Sequence, residues 1–178
     1  MEQGRFPGRE ECEEILVREA GGQSRILEHS RLVAAVAERL AEELSQAGNP
    51  VDSQLLWAAG CLHDIAKGRP RHAAAAADIL RRLGWPAVAE LVAVHMDVPL
   101  GGATPVTAAE VLYLADKLTE GSKVAGLARR FVAVGERYPD DPTAQRNIAA
   151  RLRKAEQIQK KVEAATGRKI EELTAGLG

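Results

Sequence analysis

One short segment of the sequence, Cys61-Leu62-His63-Asp64-Ile65-Ala66-Lys67, combines residue types that suit metal chemistry. A histidine and an aspartate stand side by side in it, and divalent metals of intermediate hardness accept an imidazole nitrogen together with a carboxylate oxygen. The dipeptide alone is weak evidence, because it occurs by chance in many soluble proteins. The complete set of histidines is more informative, and it consists of His29, His63, His72 and His95. Each falls on the apolar face of a predicted helix, and Asp116 does the same.

The first two of these histidines are carried by two successive predicted helices. Apolar residues recur at i, i+3, i+4 and i+7 around His29, in a helix that Ser24 is predicted to cap. The sequence Gly-Asn-Pro at 48–50 ends that helix. The next helix carries His63 on its inner face and is predicted to end near Lys67-Gly68.

The other candidate ligands follow on three further predicted helices. His72 begins an apolar stripe of its own, and His95 keeps the apolar spacing of a helix whose first turn contains Pro86. The sequence Thr-Ala-Ala-Glu at 107–110 fits a capping box at the start of the helix that carries Asp116. An unpaired buried carboxylate is expensive, so this aspartate needs a cation or several donors. A shared metal explains all the inward-facing residues together.

The chain divides into three segments on this pattern. We expect an N-terminal helix that packs on the core (1–22), a metal-binding domain (23–121) and a C-terminal helical extension (122–178). The extension is predicted to contain a helix at about 122–137 and then a long polar helix that ends near residue 165. The sparse apolar positions of the long helix suit packing on the core or against a second subunit. No segment is a credible strand, and the predicted fold class is all-α.

Composition sets the broad class of the protein. Of the 178 residues, 46% are hydrophobic and only 3% are aromatic, which favours packed helices over a sheet. The net charge of −1 gives no argument for nucleic acid or for an anionic membrane as a partner. No apolar run approaches the length of a membrane span, and residues 1–8 are expected to be frayed rather than a signal segment. Two cysteines make no disulfide framework, so we expect a cytoplasmic protein.

The complete pattern resembles the HD-domain superfamily, whose signature is a histidine, a His-Asp pair and an aspartate on different helices. Here these are His29, His63-Asp64 and Asp116, and the resemblance covers about Ile26 to Gly121. The sequences around the signature residues also match, and the chain resembles small bacterial hydrolases of the HDIG or dinucleoside polyphosphate hydrolase type. The resemblance implies a bundle of five or more core helices in which the four signature residues hold one metal.

The resemblance also implies a second metal site. In binuclear members of the superfamily, two further histidines lie between the His-Asp pair and the last aspartate, and they bind a second ion. Here they would be His72 and His95, with Asp64 as the bridging ligand. One or two divalent ions per chain are therefore expected, and iron, manganese, cobalt, magnesium and zinc all stay open.

The function that the resemblance implies is metal-dependent phosphohydrolysis of a small phosphate ester or anhydride, with a nucleotide as the expected substrate. Two metals can clamp a phosphate and generate a hydroxide that attacks phosphorus in line. Asp64 would hold the metals and the nucleophile, and Lys67 would offset developing charge. Lys67, Arg69 and Arg71 would hold the non-reacting phosphate oxygens, although the alternative of a solvated basic loop stays open.

Two other functions are compatible with the same residues. A few members of the superfamily use a pair of irons to oxidise a substrate with O2, and the lysine after the His-Asp pair does not discriminate between these classes. A non-catalytic ligand-binding module with a structural metal is the third reading. Lys117 is expected to be exposed, and Asp97 is either a proton acceptor near His95 or an ordinary charge at a helix end. The sequence is compatible with a homodimer, and we expect no nucleic-acid or membrane partner.

Overall fold

The computed structural model describes residues 6–102 and 105–178, and most of these residues are helical. Of residues 1–8, which are expected to be frayed, residues 1–5 lie outside the described part, whereas Phe6 packs against the core and Pro7 is buried. The core helices are α1 (Arg9–Ala20), α2 (Ser24–Gln46), α3 (Ser53–Leu62), α4 (His72–Arg82), α5 (Pro86–Val94) and α6 (Ala108–Leu118). They are followed by strands β1 (Thr119–Glu120) and β2 (Lys123–Val124) and by helices α7 (Leu127–Gly135), α8 (Pro142–Thr166) and α9 (Ile170–Leu173). The predicted all-α class is confirmed.

Helices α2 and α3 form the closest packed pair of the core. A Cβ atom added at Gly60 would lie 2.7 Å from the Cα atom of Ala34, so only glycine permits this approach. Gly60 precedes His63 by one turn of chain, and Ala34 follows His29 by little more than one turn. The tight crossing therefore brings the first two candidate ligands to the same end of the helix pair.

Helix α6 is buried on all sides along most of its length. The predicted capping box is present: the Glu110 backbone N–H donates to the Thr107 hydroxyl at 3.2 Å, and the Glu110 carboxylate accepts from the Thr107 backbone N–H at 2.8 Å. Helices α2, α3, α5 and α8 all pack against α6. Asp116, in its last turn, is consequently carried by a helix that is packed on several sides.

Helix α3 ends earlier than the sequence predicts. The α-helix stops at Leu62 instead of near Lys67-Gly68, and the chain continues in turns. The His63 side chain takes the Gly60 carbonyl, at 2.7 Å from Nδ1, and the backbone N–H of Lys67 bonds only three residues back, to Asp64. The side chain thus competes for the carbonyl that would continue the helix.

Three smaller predictions are also corrected. Ser24 is the first residue of α2 and not its cap, because Gln23 occupies that position without a side-chain bond. Helix α6 ends at Leu118, and Gly121 turns the antiparallel pair of β1 and β2, so four described residues form short strands although no strand is predicted. The helix expected at 122–137 shortens to α7 because this hairpin takes up its start.

The C-terminal extension packs on the core through α8. Ala155, Ile158 and Val162 of α8 are buried within the chain. Lys161 reaches the Glu110 carboxylate at 2.8 Å, and Lys154 reaches the Val98 carbonyl at the same distance. The extension thus supports α6 and the loop that leads into it. No helix in the described ranges is long and apolar enough to cross a bilayer.

Candidate metal centre

The four residues of the predicted first site lie together although three helices or helix ends supply them. His29 Nε2 lies 3.1 Å from Asp116 Oδ1, and His63 Nε2 lies 3.7 Å from the same oxygen. His63 Nε2 is also 3.5 Å from Asp64 Oδ2. His63 and both aspartates are buried, and His29 is partly buried. The shared inward phase of these residues thus corresponds to a real convergence of their polar atoms.

His72 and His95 complete the cluster on the other side of Asp64. Their Nε2 atoms lie 3.4 Å and 3.8 Å from Asp64 Oδ1, whereas His63 faces Oδ2. The carboxylate of Asp64 therefore stands between two groups of histidines. The imidazole rings form a continuous row, with successive centroids 5.4 Å (His29 to His63), 5.1 Å (His63 to His95) and 5.3 Å (His95 to His72) apart.

The orientation of two buried histidines is fixed by the backbone. His63 Nδ1 lies 2.7 Å from the Gly60 carbonyl, and His95 Nδ1 lies 2.7 Å from the Val92 carbonyl. Because a carbonyl only accepts, each Nδ1 carries a proton and donates it. In the neutral ring the lone pair then resides on Nε2, which points into the cluster. Metal-binding histidines are generally oriented in this way.

The buried polar atoms at the centre have too few partners. Among the described residues, six buried side-chain atoms lack a hydrogen bond, and four of them belong to the cluster: His63 Nε2, Asp64 Oδ1, His72 Nε2 and His95 Nε2. Such atoms are rare in folded proteins, and each costs about 1–3 kcal/mol. One cation between them would satisfy several at once. The residues present therefore fit a divalent metal.

Two groups of ligand atoms have the spacing that metal ions require. The donors of His29, His63 and Asp64 all lie within 4.8 Å of one another, and so do those of Asp64, His72 and His95. Asp64 belongs to both groups. Imidazole nitrogens with a carboxylate oxygen suit the divalent ions of the first transition row. These groups contain five of the six predicted ligands, and Asp116 lies beside the first group through Oδ1; the ligand roles themselves stay predictions.

The electrostatics of the cluster favour added positive charge. Burial alone would raise the pKa of Asp64 and of Asp116, but neighbouring histidines and lysines hold both carboxyl groups well below their usual range. Burial would likewise lower the pKa of His63, but the two carboxylates raise it to about 10. For His95, burial dominates and lowers the pKa to about 3. The carboxylates of Asp64 and Asp116 thus attract a cation, and the imidazole of His95 is neutral at pH 7.

Lys67, Arg69 and Arg71 are placed differently from one another. Lys67 Nζ donates to Asp64 Oδ2 at 2.6 Å, and its side chain is 47% exposed, so it joins the cluster to solvent. Arg69 and Arg71 are exposed, and neither side chain forms a hydrogen bond or an ion pair with another described residue; their backbones bond only to Ala66 and Ala75. Arg71 has φ 49°, a conformation that non-glycine residues rarely adopt, directly before His72. The structure therefore joins only the lysine to the cluster.

Two further sequence expectations have clear outcomes. Lys117 is buried and donates to Asp116 Oδ2, so the prediction that it is exposed is wrong. Sequence reasoning missed it because a residue next to an inward-facing one is usually turned away; Tyr113, four residues earlier on the same face, was the available signal. Asp97 pairs with Lys154 of α8, and its side chain is 83% exposed, as expected of an ordinary charge at a helix end.

Comparison with known proteins gives one match. A family model described as the HD domain matches residues 26–121, which is more than half of the chain. No curated protein and no solved structure matches the chain. HD domains are generally metal-dependent phosphohydrolases that bind divalent ions. The predicted resemblance is confirmed at the level of the superfamily, and the finer likeness to HDIG or dinucleoside polyphosphate hydrolases stays a prediction.

Proposed function

Because this chain belongs to the HD domain family, we propose that it is a metal-dependent phosphohydrolase that acts on a small phosphate ester or anhydride, with a nucleotide as its substrate. The observation that carries the proposal is the pair of ligand groups that share Asp64. Four buried donor atoms at that point have no other partner among the described residues. A cluster of this cost is hard to explain unless it binds cations.

The proposal assigns the six side chains to two ions. His29, His63, Asp64 and Asp116 would hold the first, and Asp64, His72 and His95 would hold the second. Divalent ions bound in this way polarise a phosphate group and lower the pKa of bound water toward neutrality. The protein contributes fixed donors: the Gly60 and Val92 carbonyls set the directions of two imidazoles before any ion arrives.

Lys67 would supply the positive charge for the substrate phosphate. Its ammonium lies 2.6 Å from Asp64 Oδ2 while almost half of its side chain faces solvent. A group bound beside Asp64 would therefore lie within hydrogen-bond reach of Nζ. Ammonium donors aimed at the place where negative charge develops are among the strongest contributors to phosphoryl-transfer rates.

The exposed side chains of Arg69 and Arg71 support a substrate with more than one charged group. They follow Lys67 closely in the chain and have no side-chain partners among the described residues, so their donors are available to an incoming anion. Guanidinium groups bind phosphate oxygens in pairs. A nucleotide with several phosphates would use the lysine at the reacting phosphate and the arginines at the others.

The test is an anaerobic assay. Protein loaded with Mn²⁺ is incubated with nucleoside mono-, di- and polyphosphates, and phosphate release and nucleotide products are measured. Turnover without oxygen is expected, and Asp64→Ala should abolish it. No turnover across the panel, together with oxygen consumption by iron-loaded protein on an organophosphonate or a polyol in a separate aerobic assay, would overturn the proposal in favour of the di-iron oxygenase.

A second variant tests the role of Lys67. Lys67→Ala should keep its metal and lose mainly affinity for the substrate, with a KM at least about tenfold higher, since a charged hydrogen bond contributes about 1.5–3 kcal/mol. Arg81→Ala is the matched control because Arg81 is an exposed cation nine residues beyond His72 that pairs with Asp78. An unchanged KM and rate in Lys67→Ala would remove this assignment.

A further inference from the structure

Lys117 is a buried ammonium at the edge of the candidate metal centre, and the proposed reaction does not use it. The residue is only 7% exposed. Lysine is among the residues least often buried, and an ammonium taken out of water needs a fixed partner. That partner is the carboxylate of Asp116, through Oδ2. The pair is formed by adjacent residues of α6.

The two oxygens of Asp116 have different partners. Oδ1 faces the cluster, at 3.1 Å from His29 Nε2 and 3.7 Å from His63 Nε2. Oδ2 faces the ammonium of Lys117 on the other side. Rotation of the carboxylate would break the contact on both sides. The lysine therefore fixes the orientation of the carboxylate and occupies one oxygen, so that only the other oxygen faces the metal site.

Tyr113 holds the ammonium in this position. It lies one helical turn before Lys117, its ring is fully buried, and the ring centroid is 4.8 Å from Lys117 Nζ. A cation over an aromatic face is attracted to it, most strongly where water is absent. The Tyr113 hydroxyl donates to the Arg151 carbonyl of α8 at 3.3 Å, which fixes the ring from the C-terminal extension. The ammonium is thus enclosed between a carboxylate oxygen and an immobile ring.

We propose that Lys117 is a specificity-determining residue that restricts Asp116 to one metal-coordinating oxygen and thereby discriminates against Ca²⁺. The inference rests on the proposed metal-binding function. Ca²⁺ takes six to eight oxygen ligands and often uses both oxygens of a carboxylate. Transition-metal ions such as Mn²⁺ bind well to imidazole nitrogens together with single carboxylate oxygens. A site whose second oxygen is permanently occupied serves the transition ions and not Ca²⁺.

The ratio of two affinities separates this role from a simple charge effect. Removal of a nearby cation strengthens the attraction for any divalent ion by a similar factor. Only release of the second oxygen favours Ca²⁺ over Mn²⁺. We therefore compare Ca²⁺ and Mn²⁺ dissociation constants, measured by calorimetry, for the wild type, Lys117→Met and Lys117→Arg. Methionine keeps the length and the apolar stem of lysine, and arginine keeps a donor on Oδ2.

The expected result is that Lys117→Met improves Ca²⁺ binding at least tenfold more than Mn²⁺ binding, while Lys117→Arg stays within threefold of the wild-type ratio. Equal gains for both ions, or no gain, would overturn the inference. If Lys117→Met does not fold, Tyr113→Leu is used, because it removes the ring that holds the ammonium. The affinity for Ca²⁺ relative to that for Mn²⁺ should then rise in Tyr113→Leu. A wild-type protein that binds no Mn²⁺ contradicts the proposed function itself. A wild type that binds Mn²⁺ with an unchanged ratio in the variants contradicts only the role of Lys117.

Discussion

The ion pair between Lys161 and Glu110 fastens the C-terminal extension to the helix that carries Asp116. Lys161 Nζ lies 2.9 Å and 2.8 Å from the two carboxylate oxygens, and it joins α8 to the first turn of α6. The Glu110 side chain is fully buried, and that of Lys161 is 10% exposed. Lys161→Met keeps the apolar stem and removes the charge. We expect this variant to lose a substantial part of the stability of the protein.

The size of the stability loss in Lys161→Met depends on the hydrogen bonds that Glu110 retains. Removing one partner of a buried ion pair costs about 3–5 kcal/mol when the other charge is left alone. Glu110 retains the backbone N–H of Gly101 at 3.2 Å, the backbone N–H of Thr107 at 2.8 Å and the Thr107 hydroxyl at 3.1 Å. These donors compensate part of the buried charge, so a loss of about 2–3 kcal/mol is expected. For a chain of this size that lowers Tm by about 5–10 °C.

Urea unfolding followed by circular dichroism measures this loss, because the midpoint falls in proportion to the free energy of unfolding. Arg81→Met is the control, since Arg81 and Asp78 form an exposed pair three residues apart in α4. Exposed pairs contribute about 0–1 kcal/mol. A Lys161→Met midpoint that equals the Arg81→Met midpoint would refute the argument that the extension is held through this buried pair.

Three further predictions concern packing, pH and the loop after α5. Gly60→Ala should destabilise the protein by about 1–3 kcal/mol and weaken Mn²⁺ binding, because the added Cβ would lie 2.7 Å from the α2 backbone. Gly135→Ala is the control and should have neither effect, since the nearest atom to its added Cβ is 3.7 Å away. Equal urea midpoints for the two variants would contradict this prediction. Burial alone would raise the pKa of Glu110, but Lys161 and backbone donors hold it below its usual 4.5, so its stabilising contribution is present above about pH 4.5 and is lost as the pH falls. The free energy of unfolding should therefore depend less on pH between 3 and 6 in Glu110→Gln than in the wild type, and parallel pH curves would argue against the shift. Asp97→Asn should leave the Mn²⁺ dissociation constant within about twofold, since this carboxylate is exposed and pairs with α8; a tenfold loss by calorimetry would show that it supports His95.

Much of the candidate site could be predicted from helical phase. His29, His63 and His95 fall in register with core residues, and a helix projects such residues to one side. When the apolar faces of these helices pack together, the polar side chains on the same faces also come together. Asp116 was predictable for a second reason: a carboxylate on an apolar face is costly unless it meets a cation.

The rest depended on contacts that phase does not describe. Lys117 neighbours an inward-facing residue, so its burial follows from the Asp116 carboxylate and the Tyr113 ring rather than from periodicity. The early end of α3 depends on one side-chain bond, from His63 Nδ1 to the Gly60 carbonyl. A sequence pattern gives no information about such a bond, because it shows where a side chain points and not which carbonyl it takes.

The measurement that tests the central claim most directly is the number of metal ions bound per chain. Protein saturated with Mn²⁺ and freed of excess ion is analysed for metal and for protein, alongside Asp64→Asn. Because Asp64 belongs to both ligand groups, we predict about two ions per wild-type chain and a loss of most bound metal in the variant. A wild type that stays at one ion would remove the second site at His72 and His95. A wild type that binds none, or an Asp64→Asn protein that binds as much as the wild type, would contradict the account.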